Sequence, residues 1–234
     1  MTKTDIEWCD YSINPVKGLC PVACDYCYAR RMYKRFKWNP EIRFEPIRDT
    51  DLPKKPSRIF VGSTIELFAE WVDAFWLDSI FKTVKDNPQH TFIFLTKRPG
   101  NLPKVFPDNC WIGVSVTSHS ELADKWELMR NIQAKVKFVS FEPLINWADD
   151  AHNRIYQEGI INSGIQWLIL GQLTPASPKT SPQIEWVKEI VEACDMAGVP
   201  VFLKNNLRDL LCPGALMDDI FWVDERAKLR QELP

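Results

Sequence analysis

Residues 111–140 read WIGVSVTSHSELADKWELMRNIQAKVKFVS, and this run indicates the fold class. It begins with the short apolar, β-branched segment 111–116, which is typical of a buried strand. Residues 118–131 then have helical periodicity, with serines near the start that can serve as the N-cap. A second strand-like segment follows at 136–140. A strand, a helix and a second strand in this order form a βαβ unit with parallel strands and a right-handed crossover.

The same alternation of strand and helix continues along the rest of the chain. We therefore expect an α/β fold: a partial or near-complete TIM-like (β/α) barrel with mainly parallel strands and about six to seven βα units, in a single domain over residues 1–234. An open doubly wound sheet is the alternative. The further strand segments are 6–14, 58–63, 91–96, 167–172 and 199–204, and the further helical segments are 66–86 and 182–197.

The composition restricts the class of protein. The chain has 234 residues, 45% of them hydrophobic, and a formal net charge of -2, so any basic binding surface must be local. Seven cysteines without an apolar leader argue against a disulfide scaffold and for the cytoplasm. No run approaches the ~20 apolar residues of a membrane helix, so no membrane partner is expected.

Aromatic residues are frequent, with ten tryptophans and thirteen phenylalanines. Most of these side chains are expected in the core. In segment 66–86, Trp71, Phe75, Trp76 and Phe81 fall at helical intervals, which predicts an aromatic helix face laid on the sheet.

Three cysteines share one short loop. Cys20, Cys24 and Cys27 lie in the run GLCPVACDYCYAR at 18–30, and this spacing lets three thiols converge on one metal centre. A structural zinc site or a ferredoxin cluster takes four protein ligands, so three thiolates favour an iron–sulfur cluster with one open iron. Zinc with a more distant ligand, redox thiols and buried core cysteines are the alternatives. The remaining cysteines are scattered and are expected to be buried thiols: Cys9, Cys110, Cys194 and Cys212.

Polar residues stand at the carboxyl ends of the strand segments. Active sites of parallel α/β folds lie at these ends, so the residues are site candidates. Each is also a plausible helix cap or turn former. They are Ser63 and Thr64, Thr96 and Lys97, Ser115 and Thr117, Ser140 and Glu142, Gln172, and Lys204 and Asn205.

The CxxxCxxC motif, with the aromatic Tyr26 just before its last cysteine, resembles the signature of the radical S-adenosylmethionine enzymes. The resemblance implies a [4Fe-4S] cluster on the three loop cysteines and S-adenosylmethionine on the fourth iron. It also implies a 5'-deoxyadenosyl radical that abstracts hydrogen, and an external one-electron reductant. The difficult chemistry then belongs to the cofactor, while the protein supplies placement and electrostatics.

Further stretches resemble a phage-associated radical-SAM-like family of largely unassigned function, which implies the cytoplasm of the host cell. Two departures stand out. The Gly-Gly-Glu expected after the second strand is replaced by Gly62-Ser63-Thr64, and the one that relatives tend to have after the sixth strand by Gly171-Gln172-Leu173. The similar stretches are 4–8, 14–15, 27–30, 95–99, 113–115 and 140–144.

The resemblance also implies roles for the strand-end residues. Ser115 would contact the ribose, with Ser140 or Glu142 nearby, and Lys97 or Arg98 would pair with the methionine carboxylate. Glu142 is a candidate general base or substrate anchor. The expected cofactor-binding residues are Tyr26, Ser63, Thr64, Thr96, Lys97, Ser115, Ser140 and Gln172; the expected catalytic residues are Glu142 and Lys204.

A basic, aromatic run follows the cysteine loop. Residues 29–38 read ARRMYKRFKW, five cations interleaved with three aromatics. On a helix these cations can neutralise DNA phosphates beside the radical site, whereas a solvated helix face is the alternative. The expected nucleic-acid-binding residues are Arg30, Arg31, Lys34, Arg35 and Lys37.

Three functions remain open from the sequence. The first is a radical enzyme of the isomerase or base-modifying transferase type, which rearranges or modifies a hypermodified pyrimidine in phage DNA that is flipped out or single-stranded. The second is radical chemistry on a peptide or small metabolite. The third is a non-catalytic nucleic-acid-binding module stabilised by zinc or by a structural cluster.

Overall fold

The structure is a computed structural model that describes residues 1–147, 159–212, 221–224 and 228–234. A mostly parallel eight-stranded sheet with alternating helices confirms the predicted α/β fold of the TIM-like type. In the described part of the chain, no helix has the length and apolar character needed to cross a membrane. The helices are α1 (Tyr28–Phe36), α2 (Ala74–Asp86), α3 (His119–Arg130), α4 (Ile184–Ala197) and α5 (Arg208–Leu211).

The strands are short, and each predicted strand segment contains a strand of the structure. Segment 91–96 forms a strand over its whole length, and 6–14 forms one only over its last part, because a turn occupies its beginning. The strands are β1 (Thr2–Lys3), β2 (Tyr11–Ile13), β3 (Val16–Lys17), β4 (Arg43–Phe44), β5 (Arg58–Val61), β6 (Thr91–Thr96), β7 (Cys110–Val116), β8 (Val136–Phe141), β9 (Trp167–Leu170) and β10 (Val201–Leu203).

The described chain divides into two compact units, and the boundary falls within β7. The first comprises Met1–Gly113 and Asn131–Lys135, and the second Val114–Arg130 and Val136–Pro234. In the first unit, β2, β5 and β6 are parallel neighbours; in the second, β8, β9 and β10 are. Neither unit, as far as it is described, reverses its strand order, and such a reversal is the mark of a doubly wound sheet. The single catalytic domain over 1–234 stays a prediction.

Two antiparallel pairings were not foreseen. Strand β1 pairs with β2, and β3 pairs with β4 in a separate two-stranded ribbon. Strands of two residues are too short to show a period of alternation, so periodicity cannot reveal them. The β3–β4 ribbon matters for the site, because it brackets the cysteine loop and α1 on both sides.

The aromatic face predicted for α2 is only partly correct. The helix begins at Ala74 because the Asp73 carboxylate accepts a hydrogen bond from the Phe75 N–H (2.8 Å) and caps it, which leaves Trp71 before the helix. The Phe75 side chain is 72% exposed. The buried face is instead aliphatic, formed by Ile80 and Val84 at i and i+4.

The core of the first unit is nevertheless aromatic. Phe68, Phe81, Phe94 and Phe106 form a cluster in which ring centroids lie 5.5–6.5 Å apart in tilted and edge-on contacts. Such pairs add about 0.5–1.5 kcal/mol each to the apolar burial. Phe68 belongs to the loop that follows β5, so the cluster joins that loop to α2 and β6.

The second unit confirms the predicted cap of α3. The Ser118 hydroxyl accepts from the Glu121 N–H (3.3 Å), and the Glu121 carboxylate accepts from the Thr117 N–H (2.8 Å). Burial alone would raise the pKa of Glu121, but the Thr117 hydrogen bond and the Lys125 ammonium lower the pKa overall. The carboxylate therefore remains ionised, and a negative charge is favourable in the first turn of a helix.

Gly18, the first residue of the cysteine loop, leaves no room for a side chain. Its φ is +126°, and a Cβ would lie 2.7 Å from the Glu41 carbonyl oxygen. We expect Gly18→Ala to lower the free energy of unfolding by about 2–3 kcal/mol, measured by urea denaturation. Gly198 is the matched control, because its φ is +65° but its Cβ would meet nothing within 4 Å, so Gly198→Ala should cost only about 1 kcal/mol. Equal losses would show that the close contact at Gly18 is unimportant.

Candidate functional site

The cysteine loop, residues 18–27, lies between β3 and α1 and is anchored through its backbone. The Gly18 N–H donates to the Tyr33 hydroxyl (2.8 Å), and the Arg30 guanidinium donates to the Cys20 carbonyl (2.9 Å). Tyr33 and Arg30 both belong to α1. The helix therefore holds the loop that precedes it.

The second half of the loop is a tight turn. Ala23 has a left-handed φ of 54°, and the Cys27 N–H donates to the Cys24 carbonyl (3.0 Å). Cys27 is also the N-cap residue of α1. The amino terminus of a helix favours negative charge, which suits a thiolate at this position.

The donor set fits a cluster held by three thiolates. Cys20, Cys24 and Cys27 are all half-buried and free of disulfides, whereas Cys9, Cys110 and Cys194 are buried as predicted, and Cys212 is half-buried. Among the described residues, no three His, Cys, Asp or Glu side chains converge closely enough to hold a metal ion. The loop thiols would have to turn toward one another to share one metal centre, and the described residues hold no preformed four-ligand zinc site either.

Ser63 and Thr64 follow β5, and hydrogen bonds join them to Asn14 and to the start of α1. The Asn14 side chain exchanges hydrogen bonds with the Ser63 hydroxyl (3.2 Å) and accepts from the Thr64 N–H (3.2 Å). The Tyr28 hydroxyl donates to the Ser63 carbonyl (2.6 Å). Because Tyr28 directly follows Cys27, this contact joins the end of β5 to the last cysteine.

Glu66 organises the end of β6, and sequence reasoning missed it. Its buried carboxylate accepts from the Thr96 hydroxyl (2.7 Å), the Lys97 N–H (2.7 Å) and the Phe68 N–H (3.1 Å). The available signal was a lone carboxylate inside the apolar run 65–69, which is costly to bury unless hydrogen bonds satisfy it. The Thr96 hydroxyl is thereby engaged with protein, in a position that orients Lys97.

Lys97 reaches over the cysteine loop. Its ammonium lies 5.7 Å from the ring centroid of Tyr26, within the range of a cation–π contact. Arg98, the other cation proposed for the methionine carboxylate, has an exposed side chain. The structure therefore brings Lys97 to the loop through Glu66 and Tyr26 and leaves Arg98 at the surface.

In the second unit, Ser140, Glu142 and Lys204 meet at the carboxyl ends of β8 and β10. The Ser140 hydroxyl donates to the Glu142 carboxylate (2.8 Å), which also forms an ion pair with the Lys204 ammonium. Gly171 lies beside this pair at the end of β9, where a Cβ would come within 2.9 Å of the Lys204 Cδ and would require the lysine side chain to shift. The two predicted catalytic residues are direct neighbours.

Gln172 follows Gly171 and contains an unsatisfied acceptor. Its side-chain amide donates to the Asn206 carbonyl, and the Asn206 amide donates back to the Gln172 carbonyl (2.7 Å). The Gln172 side chain is buried, with 7% of the residue exposed, and its Oε1 has no partner among the described residues. Flipping the amide would set this oxygen against the Asn206 carbonyl, so the orientation is fixed. A ligand N–H or O–H at this oxygen would remove a penalty of about 1–3 kcal/mol.

The contacts of Ser115 and Thr117 are with other residues of the second unit. Ser115 is buried, and its carbonyl accepts from the Lys125 ammonium (3.0 Å). Thr117 belongs to the cap of α3 described above. The contact of Ser115 with the ribose stays a prediction.

Comparison with known proteins gives a family and a fold. Residues 3–207 match the family described as protein of unknown function (DUF5131), so the chain belongs to that family. No curated protein matches the chain. A solved structure of a spore photoproduct lyase double mutant, with bound AdoMet and dinucleoside spore photoproduct, is similar with a TM-score of 0.56 and 13% identity. The match covers 86% of this chain and 78% of that one, and at this identity it shows the fold alone.

Thiol reactivity tests the cysteine loop. After removal of metal by a chelator, iodoacetamide at pH 8 should modify the three loop cysteines, and reconstitution with iron and sulfide should protect all three. Burial raises the pKa of Cys110 and Cys194 to about 12, so both should resist in either state. Half-buried Cys212 should react in both states and serves as the positive control. Equal labelling of the loop with and without metal, mapped by mass spectrometry, would contradict a cluster there.

The carboxylate of Glu66 is expected to be necessary for the stability of the fold. Glu66→Gln forces an amide N–H toward one of three donors, so we expect a loss of about 1.5–3 kcal/mol in the free energy of unfolding. Glu70→Gln is the matched control, because Glu70 is exposed and lies in the same loop. Urea denaturation of both variants measures the difference, and indistinguishable losses would refute the role of Glu66.

Proposed function

We propose that the chain is a radical S-adenosylmethionine enzyme that acts on a base of DNA. The observation that carries this proposal is the anchored three-cysteine loop, whose Tyr26 lies beneath the Lys97 ammonium. The similarity in fold to a protein with bound AdoMet supports the cofactor. When bound, the [4Fe-4S] cluster and S-adenosylmethionine supply the 5'-deoxyadenosyl radical that abstracts hydrogen from the substrate.

The residues of the first unit hold the methionine part of the cofactor. Lys97 pairs with the methionine carboxylate, because a charge-assisted hydrogen bond is strong in a partly closed site. Ser63 and Thr64, which Asn14 orients, present oxygen acceptors to the amino group and replace the missing Gly-Gly-Glu. Tyr26 lines the loop, and Thr96 acts through Glu66 by orienting Lys97.

The residues of the second unit supply polar groups for the ribose and for the substrate. Ser115 and Ser140 are the proposed ribose contacts. Glu142 and Lys204 form a pair that can accept and donate a proton, which suits a base and an anchor for a polar substrate. The Gln172 Oε1 offers an acceptor to a ligand N–H.

DNA is the proposed substrate because of the cations on and after α1. Residues 28–40 contain five cations and no carboxylate, in a chain whose formal net charge is -2. The dinucleoside spore photoproduct in the similar structure supports a nucleic-acid substrate. The finer proposal is rearrangement or modification of a hypermodified pyrimidine of phage DNA, with the base flipped out or presented in a single strand.

Anaerobic reconstitution tests this function. Protein loaded with iron and sulfide should carry roughly four irons per chain. With dithionite as the one-electron reductant, it should release 5'-deoxyadenosine from S-adenosylmethionine, faster when DNA with modified pyrimidines is added. Iron-loaded protein that neither binds nor cleaves S-adenosylmethionine would overturn the enzyme class. Colourless protein with zinc would favour the non-catalytic module, and cleavage that no nucleic acid stimulates would favour a peptide or small metabolite.

Two adjacent cations allow a matched test of cofactor binding. Lys97→Met should weaken binding of S-adenosylmethionine by about 10–100-fold, because it removes a charge-assisted hydrogen bond of about 1.5–3 kcal/mol. Arg98→Met removes the same charge one residue away from an exposed position and should change the affinity by less than about threefold. Isothermal titration of the reconstituted variants measures both constants. A larger loss in Arg98→Met would assign the carboxylate contact to Arg98 instead.

A further inference from the structure

Two exposed aromatic rings stack on each other at the carboxyl end of α1. Lys37 ends the helix in the left-handed conformation (φ 51°, ψ 41°) and reverses the chain, so Trp38 folds back onto Phe36. The two ring centroids are 5.6 Å apart and the rings are 22° from parallel. Phe36 is 51% exposed and Trp38 is 41% exposed. Large apolar side chains paired at the surface in this way are typical of an interaction site.

Contacts behind the two rings hold them in place. The Trp38 N–H donates to the Tyr33 carbonyl (3.2 Å), and the Tyr33 ring meets the Trp38 ring edge-on at 5.2 Å. The Tyr33 hydroxyl accepts from the Gly18 N–H at the start of the cysteine loop. One tyrosine therefore ties the stacked rings to the loop proposed to hold the cluster.

The charge around the rings is positive. The Arg35 guanidinium lies 5.2 Å from the centroid of the Phe36 ring, and the side chains of Lys34 and Lys37 are exposed. No carboxylate occurs in residues 28–40. Aromatic faces among cations suit single-stranded nucleic acid, in which bases offer free faces and phosphates offer negative charge. A duplex offers the same phosphates, but its bases are already stacked.

We propose that Phe36 and Trp38 form a stacking platform that binds a base of single-stranded DNA next to the cysteine loop. Lys34, Arg35 and Lys37 neutralise the adjoining phosphates. This inference rests on the proposed function in taking DNA as the substrate, and it adds the form in which DNA is bound and the two residues that bind it. The platform holds the strand, so that a neighbouring unstacked base is free for chemistry.

Binding of labelled oligothymidine to the full reconstituted protein, followed by fluorescence anisotropy, tests the platform. The single strand should bind more tightly than the same sequence in a duplex. Phe36→Ala and Trp38→Ala should each weaken binding by about 5–100-fold, since stacking contributes about 1–3 kcal/mol per base. Trp38→Phe, which keeps a ring, should restore most of the affinity. Phe75→Ala, at an exposed aromatic residue on α2, is the matched control and should leave binding unchanged.

Salt dependence separates stacking from phosphate contacts. Lys34→Ala and Lys37→Ala should each reduce the slope of log K against log salt by about 0.7, whereas Trp38→Ala should leave the slope unchanged. Equal affinity for single strand and duplex, or wild-type affinity in both aromatic-to-alanine variants, would overturn the platform. A wild-type protein that binds single strands but never cleaves S-adenosylmethionine would refute the proposed function and leave the platform intact. One that cleaves the cofactor but binds no single strand would refute the platform alone.

Discussion

The hydrogen bond from the Gly18 N–H to the Tyr33 hydroxyl is the interaction that fixes the start of the cysteine loop against α1. It forms because Gly18 adopts a φ of +126° and packs against the backbone at Glu41 and Ile42, a position closed to any side chain. The backbone of the cysteine loop is thereby ordered before any ligand binds, whereas ordering a free loop on binding would cost about 1–2 kcal/mol per residue. The anchor makes that cost part of folding instead.

The hydrogen bonds made by polar groups at the strand ends separate those that support the structure from those that have an acceptor left for a ligand. Glu66 is fully satisfied by three donors from its own unit, so its task is to hold Thr96 and Lys97. Asn14 does the same for Ser63 and Thr64. The Gln172 Oε1, in contrast, is buried without a donor among the described residues. A fold rarely leaves such an oxygen unpaired, so it points to a ligand or an ordered water.

Local patterns in the sequence were sufficient for the strands from β5 onward and for the longer helices, but not for the two-residue strands β1, β3 and β4. Segment 91–96 and the helix that Ser118 caps follow from periodicity and capping, both of which act over a few residues. The exposure of Phe75 did not follow from the sequence, because Asp73 caps α2 directly before it and the buried face of the helix is formed further along, by Ile80 and Val84. Glu66 was missed because its three donors come together only in the folded chain. The Phe36–Trp38 stack depends on the left-handed conformation of Lys37, for which the sequence offers no glycine or asparagine as a signal.

Because the overall charge of the chain is weak, base stacking is better suited than phosphate contacts to select single-stranded DNA over duplex. A strongly basic protein would bind any DNA through its phosphates, and duplex, with its higher charge density, would compete with the single strand. Here the net charge is -2, and the five cations of residues 28–40 form only a local positive surface, so phosphate contacts alone give limited affinity. Two exposed rings among those cations add a stacking attraction, and only unstacked bases have free faces to take part in it. Because Tyr33 joins these rings to the cysteine loop, a single strand bound on the proposed platform is held at a fixed place relative to the three thiols.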